Sequence, residues 1–176
     1  MNAFWEKGYE ACSTADLCQA TGLGKGSLYN AFGSKHEIYA KALKLYHQQW
    51  MEEQNIILSR PTSAIERIRT LFDWAIEKDF EQSSNGCFLI NASMERGHDD
   101  ITVQKWSGEH ARFLENKLRS VIDEGVSTGE LASSTDASAM ASNVLCIYYG
   151  LRTLNATLQD KQQAISLVNG LMASLH

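Results

Sequence analysis

The sequence predicts an all-α protein, and three features of its composition support that prediction. Hydrophobic residues make up 44% of the 176 residues, enough to bury a substantial core. Proline, the residue that most strongly breaks a helix, occurs once, at Pro61. Valine and isoleucine rarely alternate with polar residues, so the signals for β-strands are weak. We therefore expect helices along nearly the whole chain.

Capping residues mark where these helices begin and end. A Ser or Asp followed three positions later by Asp, Glu or Gln has the spacing of a capping box at a helix start. This spacing occurs in the pairs Ser13 with Asp16, Ser34 with Glu37, Ser63 with Glu66, and Asp160 with Gln163. Glycine tolerates the left-handed turn that ends many helices, and predicted helices stop at Gly8, Gly22, Gly33, Gly97 and Gly129. The predicted segments are a first helix ending near Gly8, then 13–20, 25–32, 35–54, 63–81, 87–96, 100–127, 135–158 and 161–175.

Residues 14–32 have the pattern of a helix-turn-helix, two short helices around a tight turn. Leu17 and Leu28 can face each other inside, and Gly22 supplies the backbone freedom for the turn. In the second helix, Leu28 and Ala31 are among the residues predicted to face inward. The polar side chains between them are then left on the outer face.

That outer face suits the major groove of DNA. Lys25 can approach phosphate or guanine acceptors, while Ser27 and Asn30 offer donors and acceptors to base edges. The Tyr29 hydroxyl can reach a phosphate. Gly26 leaves room for the backbone to approach DNA closely. A DNA-reading helix is therefore the hypothesis that these residues favour.

The helix-turn-helix and its flanks resemble the DNA-binding domain of TetR-family transcriptional regulators over the stretch GYEACSTADLCQATGLGKGSLYNAFGSKHEIYAKAL. The matching elements are Gly8-Tyr9, Ser13, Asp16-Leu17, Thr21-Gly22-Leu23, Lys25 to Tyr29, Phe32 and Ser34-Lys35. Two departures stand out: the family has most of a helix ahead of Phe4, so the first helix looks truncated, and Gly24 replaces the serine that commonly caps the recognition helix.

The resemblance implies a three-helix DNA-binding domain over 1–54 and a helical effector-binding and dimerisation domain over 55–176. Its implied partners are a double-stranded DNA operator, a small-molecule effector and a second copy of the chain. The residues expected to contact DNA are Ser13, Thr14, Lys25, Gly26, Ser27, Tyr29, Asn30, Ser34 and Lys35. The start of the helix at Ser34 also offers free N–H groups to a phosphate.

The resemblance also implies an internal effector pocket in the second domain. Pockets are mostly apolar with a few polar groups, and the candidate residues are chosen on that basis. Its candidate residues are Trp74, Cys87, Phe88, Asn91, Met94, Trp106, His110, Phe113, Tyr148 and Asn155. For each aromatic residue, a place in the core is the alternative. Cys87 opens a predicted helix, where a thiol can become reactive; the alternative is a small buried side chain.

The last two helices carry apolar residues three and four positions apart, a seam that packs against another helix. The candidate dimer-interface residues are Met140, Val144, Ile147, Leu151, Leu154, Leu158, Ile165, Val168, Met172 and Leu175. Packing within the chain accounts for part of this pattern. Because Tyr148 and Tyr149 lie off the seam, the helix is apolar on more than one side, which favours a dimer.

The net charge and the sequence motifs limit the kinds of function that the protein can have. The net charge of −5 argues against nucleic acid over the whole surface, but four lysines against Glu37 between Lys25 and Lys44 form a local basic patch. His98-Asp99-Asp100 fits a loop and helix cap better than a metal site. The chain has no long apolar run, no signal peptide, no paired cysteine motif and no catalytic motif. We expect a cytoplasmic repressor without cofactor; the alternative is a helical scaffold that binds proteins and never binds DNA.

Overall fold

A computed structural model of the chain describes residues 1–81 and 85–175, and over these ranges it contains nine helices and no strands. The helices are α1 (Asn2–Ala11), α2 (Thr14–Thr21), α3 (Lys25–Phe32), α4 (Lys35–Leu58), α5 (Ala64–Glu81), α6 (Phe88–Arg96), α7 (Ile101–Thr128), α8 (Ala137–Leu158) and α9 (Lys161–Ser174). The all-α prediction is confirmed. Each predicted segment corresponds to one helix, and the largest difference is at α4, which continues past the predicted end at 54 to Leu58.

Gly8 interrupts α1 instead of ending it. Its φ of 77° and ψ of 176° are not helical, and helical conformation resumes for a last turn at Tyr9. An L side chain rarely adopts this backbone conformation, so glycine is the residue that the position requires. The chain therefore bends at Gly8 and starts a second, short helical stretch.

Two of the predicted capping boxes form in full. The Ser13 hydroxyl accepts from the Asp16 N–H at 3.2 Å, and the Asp16 carboxylate accepts from the Ser13 N–H at 2.8 Å. Ser34 and Glu37 make the same two bonds, at 3.2 Å and 2.7 Å. Both boxes satisfy N–H groups at a helix start that have no partner within the helix.

The start of α5 uses a different partner from the predicted one. Ser63 accepts from the Glu66 N–H at 3.2 Å, as expected. The carboxylate that completes this end is that of Glu130, which accepts from the Ala64 and Ile65 N–H groups at 2.7 and 2.9 Å. A distant acidic residue therefore stabilises this helix start.

The chain divides into two compact units, each built from two stretches of sequence. The first unit comprises 1–49 and 88–109, and the second unit comprises 50–87 and 110–176. Aromatic side chains fill much of the first unit's core: the Tyr39 ring lies 5.0 Å from that of Phe4 and 5.9 Å from that of Phe88. In the second unit, α5, α8 and α9 pack on one another around an apolar core.

Candidate nucleic-acid interface

The helix-turn-helix forms as the sequence predicts. Leu17 from α2 and Leu28 from α3 are both buried, and Gly22 ends α2 in the left-handed conformation with a φ of 70°. Ala31 is exposed, so its predicted inward orientation is wrong. Leu28 therefore provides the fully buried anchor of α3, while most of the short helix stays at the surface.

The outer face of α3 carries the residues predicted to read DNA. Lys25, Gly26, Ser27 and Asn30 are exposed, and Tyr29 is half-buried. A Cβ added at Gly26 would meet no heavy atom within 4 Å, so packing within the chain does not require glycine there. The face thus combines one cation, polar side chains and accessible backbone.

A hydroxyl pair ties the start of α2 to α3. The Thr14 and Tyr29 hydroxyl oxygens lie 2.6 Å apart, within hydrogen-bond distance. Ser13, the residue before Thr14, is exposed, while Thr14 is half-buried. The pair fixes the Tyr29 ring against α2 and leaves both hydroxyl oxygens with further hydrogen-bonding capacity.

The start of α4 follows the end of α3 after two residues, and its charges partly oppose one another. Ser34 is exposed and Lys35 is half-buried. The Ser34 N–H donates to the Glu37 carboxylate, as the predicted capping box requires, so this N–H is not free for a phosphate. That backbone bond, with one from the Ser34 hydroxyl, lowers the pKa of Glu37. Lys35 therefore supplies the positive charge at this end, beside a carboxylate that remains ionised at neutral pH.

Lys35 is held by residues that follow the break in α1. Its Nζ lies 4.5 Å from the centroid of the Tyr9 ring, a cation–π distance, and 3.4 Å from the Glu10 carbonyl oxygen. The position of this ammonium group therefore depends on the last turn of α1.

That last turn is bound by α6, a contact that sequence reasoning missed. The Glu95 carboxylate accepts from the Tyr9 N–H and the Glu10 N–H, each at 2.9 Å. A Cβ added at Gly8 would lie 2.9 Å from a Glu95 oxygen, so the carboxylate occupies the space that any other side chain would need. Gly8 was the available signal, since a glycine break exposes N–H groups that require an acceptor.

Arg96 and Asp100 extend the same cluster. The Arg96 guanidinium lies 4.5 Å from the Tyr9 ring centroid, pairs with the Glu10 carboxylate, and donates to the Asp100 carboxylate at 3.2 Å. His36 Nε2 lies 3.0 Å from the same Asp100 carboxylate. Burial alone would raise the pKa of Asp100, but bonds from His36 and from two α7 N–H groups outweigh it and lower the pKa. Asp100 thus joins α4, α6 and α7 within the first unit.

The candidate effector residues are divided between the units. Phe88, Asn91, Met94 and Trp106 lie in the first unit, where Asn91 and Met94 are exposed. The others, Trp74, Cys87, His110, Phe113, Tyr148 and Asn155, lie in the second unit. Of these six, Trp74 and Phe113 are half-buried and the remaining four are buried.

A buried polar cluster lies among the second-unit candidates. The Asp79 carboxylate accepts from Arg152 Nε at 3.1 Å and from Asn155 Nδ2 at 2.9 Å, and the Arg152 guanidinium lies 4.3 Å from the Trp50 ring centroid. Burial raises the pKa of Tyr148 to about 12. The cluster offers buried hydrogen-bonding groups in an otherwise apolar interior.

The candidate dimer residues are divided by burial. Val144, Leu151, Val168 and Met172 are buried in the second unit's own core. Met140, Ile165 and Leu175 are half-buried, whereas Ile147, Leu154 and Leu158 are exposed by 41 to 49%. A groove of about 430 Å³ lies between α8 and α9, with Ile147, Leu154, Leu167, Gly150 and Gly170 in its wall.

Neither a metal centre nor a membrane span is found in residues 1–81 and 85–175. Over these ranges, no group of three or more His, Cys, Asp or Glu side chains could hold a metal ion, and every helix is either too short or too polar to span a bilayer. Asp100, which belongs to the segment His98-Asp99-Asp100, is buried and hydrogen-bonded to His36 and Arg96.

Two family profiles match most of the sequence. The profile described as "Bacterial regulatory proteins, tetR family" matches residues 1–42, and that described as "Tetracyclin repressor-like, C-terminal domain" matches residues 64–170. An uncharacterised HTH-type transcriptional regulator of Bacillus subtilis (strain 168), YezE, is 29% identical over 148 residues, 80% of this chain and 74% of that protein. The HTH-type transcriptional repressor ComR of Escherichia coli (strain K12) is 26% identical over 153 residues, 86% of this chain and 73% of that protein.

Solved structures of regulators share the fold. A TetR transcriptional regulator from Chloroflexus aurantiacus J-10-FL superimposes with a TM-score of 0.86 at 20% identity, covering 97% of this chain and 87% of that one. A cysteine-substituted variant of the TetR-family regulator CifR, solved with 26-base-pair double-strand operator DNA, superimposes with a TM-score of 0.85 at 23% identity, covering 99% and 92%. The predicted architecture, a helix-turn-helix domain followed by a helical domain, is confirmed.

Proposed function

The chain belongs to the TetR family of bacterial regulatory proteins and is a transcriptional regulator, not an enzyme; on that premise we propose that it is a dimeric repressor that binds a palindromic operator and is released by a small-molecule effector. A repressor of this kind acts on the chromosome, so we place it in the cytoplasm. Its domains are proposed to divide the work, with DNA binding within 1–54 and effector binding and dimerisation within 55–176.

The observation that carries this proposal is the exposed face of α3. Lys25, Ser27 and Asn30 project from a short helix anchored by the buried Leu28. An α-helix fits the major groove, where Asn and Ser can bond base edges and Lys can bond guanine or phosphate. Tyr29 and Lys35 flank this face and are assigned to phosphates, which position a protein without reading sequence.

The dimer is proposed to form on the exposed apolar surface of α8 and α9. Ile147, Leu154 and Leu158 are large apolar side chains that the chain itself leaves exposed. Gly150 and Gly170 have no atom within 4 Å of an added Cβ, so a second helix can approach closely there. A twofold pair would bury both surfaces and present two α3 helices to half-sites one helical turn of DNA apart, about 34–36 Å.

The effector is proposed to bind inside the second unit, which begins at Trp50 and therefore includes the last residues of the 1–54 segment. Gln54 is fully buried and donates to the Tyr148 hydroxyl at 3.3 Å, while its Oε1 accepts no hydrogen bond from any described residue. A ligand that donates a hydrogen bond would satisfy this oxygen. If the effector binds the DNA-incompetent arrangement more tightly than the competent one, it lowers operator occupancy by population shift.

The proposal is tested first by selecting bound duplexes from a random library and then measuring affinity by fluorescence anisotropy. Lys25→Ala should weaken binding by about tenfold, and removing one phosphate-binding lysine per subunit should lower the slope of log affinity against log salt by about 0.9 per subunit. Asn30→Ala should weaken binding mainly to duplexes with the selected bases. A wild-type protein that enriches no sequence, and shows no salt-dependent binding, refutes the proposed function and favours the scaffold alternative.

A further inference from the structure

Glu95, a residue of α6, binds backbone groups of α1. The break at Gly8 leaves the N–H groups of Tyr9 and Glu10 at the start of a new helical stretch, where the chain's own helix cannot provide acceptors. Both N–H groups donate to the single Glu95 carboxylate, at 2.9 Å each. Glu95 therefore caps, from another helix, a turn that lies within the predicted DNA-binding domain.

The backbone at Gly8 is shaped to receive this carboxylate. The φ of 77° excludes most side chains, and the Glu95 oxygens would lie 2.9 and 3.0 Å from a Cβ at this position. The conformation is therefore specific for glycine, and a Cβ at this position would push the Glu95 carboxylate away from the Tyr9 and Glu10 N–H groups. Residues 8 and 95 therefore form one complementary contact, in which the glycine backbone leaves room for the carboxylate.

The capped turn leads directly to a candidate phosphate-binding group. Tyr9 places its ring 4.5 Å from Lys35 Nζ, and the Glu10 carbonyl oxygen lies 3.4 Å from the same atom. The two residues that hold Lys35 are thus the two whose N–H groups Glu95 binds. Arg96 lies 4.5 Å from the Tyr9 ring centroid as well, so α6 contacts the turn at two consecutive residues.

We propose that Glu95 is a positioning residue for operator binding, which holds the turn after Gly8 and, through Tyr9 and Glu10, the ammonium group of Lys35. Glu95 itself touches no DNA. The inference rests on the proposed function, since it requires that Lys35 bind an operator phosphate. A charge-assisted bond to a backbone N–H is among the stronger hydrogen bonds in proteins, so its removal should displace the turn measurably.

A double-mutant cycle on DNA binding tests this route. Glu95→Gln removes the charge and replaces one acceptor oxygen by a donor, and it should weaken operator affinity by about tenfold. Lys35→Ala should have an effect of similar size. The double variant should then bind about as well as Lys35→Ala alone, whereas independent effects would multiply to about a hundredfold weaker binding. Glu77→Gln, at an exposed position of α5, is the control for the removal of one negative charge and should leave affinity unchanged.

Amide hydrogen exchange, measured by NMR without DNA, distinguishes a local loss of structure at this turn from a loss of global stability. Glu95→Gln should accelerate exchange at the Tyr9 and Glu10 N–H groups while the rest of the first unit keeps its protection. Should this variant be unfolded at the assay temperature, Glu95→Asp, which keeps the charge but is too short to bond both groups, replaces it in both experiments.

Wild-type affinity in the Glu95 variant, or effects that multiply with those of Lys35→Ala, would overturn the proposal. Unchanged exchange at Tyr9 and Glu10 would do the same. These outcomes differ from failure of the proposed function, in which the wild-type protein binds no duplex at all, and the exchange measurement then still decides whether Glu95 holds the turn.

Discussion

Replacing Gly26 by alanine should separate folding from DNA binding. Gly26 is the second residue of α3, it is exposed, and its added Cβ would meet nothing within 4 Å. Alanine is favoured over glycine in a helix by up to about 1 kcal/mol. The Gly26→Ala variant should therefore be at least as stable as the wild type, with a Tm up to about 4 °C higher.

The same methyl group should weaken operator binding. On the proposed docking face it would stand between the α3 backbone and the DNA surface, and one extra methyl in a well-packed contact costs about 1–3 kcal/mol. Affinity should fall by about 5- to 150-fold, with an unchanged salt slope because no charge is altered. Thermal melting by circular dichroism and fluorescence anisotropy on a selected duplex measure the two effects.

Ser120→Ala is the matched control for this experiment. Ser120 is exposed on α7, and alanine there also raises helix propensity, so the Tm should rise slightly while affinity stays constant. If Gly26→Ala bound DNA as tightly as the wild type, the α3 backbone would not approach DNA closely at this position. A lower Tm in Gly26→Ala would instead refute the claim that no residue of the chain needs this space.

Three further substitutions test the dimer, the buried cluster and the helix caps. Ile147→Glu places a charge in the proposed dimer surface and should give a folded monomer by sedimentation velocity; a persistent dimer contradicts that interface. Asp79→Asn leaves the buried Arg152 without its carboxylate and should lower stability by about 3–5 kcal/mol in urea melts, whereas Asp123→Asn, in an exposed pair, should change it by less than about 0.5 kcal/mol. Burial would raise the pKa of Glu130, but hydrogen bonds from backbone N–H groups outweigh burial and lower the pKa, so the stability that Glu130 contributes is present above the ordinary pKa of 4.5 and is lost as the pH falls. Glu130→Gln should therefore lower the free energy of unfolding by about 1 kcal/mol at pH 7. The difference in stability between this variant and the wild type should shrink below pH 4.5.

Local patterns in the sequence predicted most of the secondary structure. Helix starts such as Ser13 and Ser34 depend on residues three positions away, so the chain contains the full signal in a short window. The helix-turn-helix could be predicted for the same reason. Its core residues Leu17 and Leu28 and its turn residue Gly22 lie close together in sequence. The inward orientation predicted for Ala31 is wrong because a small side chain fits either an inner or an outer face, and periodicity alone does not choose between them.

The sequence predicts less well which residues of the C-terminal helices are buried. Val144 and Ile147 follow the same spacing of three and four, yet Val144 packs in the core and Ile147 is 41% exposed. The seam in the sequence shows that both are apolar, and it does not show which neighbouring helix covers each one. The packing of α5 against α8 and α9 decides this, and α5 lies more than fifty positions away in sequence from either helix.

The contacts that sequence reasoning missed share one physical origin. Glu95 and Glu130 each present a carboxylate to two consecutive backbone N–H groups, 85 to 86 and 65 to 66 positions away in sequence. The sequence marks Gly8 as a helix stop and Ser63 as a helix start, but any acidic residue of the chain could bind the N–H groups that follow them. Only the folded arrangement chooses the partner. A glycine break inside a helix therefore predicts an acceptor from elsewhere in the chain, and in this protein the acceptor belongs to α6, which contacts the last turn of α1 through the N–H groups of Tyr9 and Glu10.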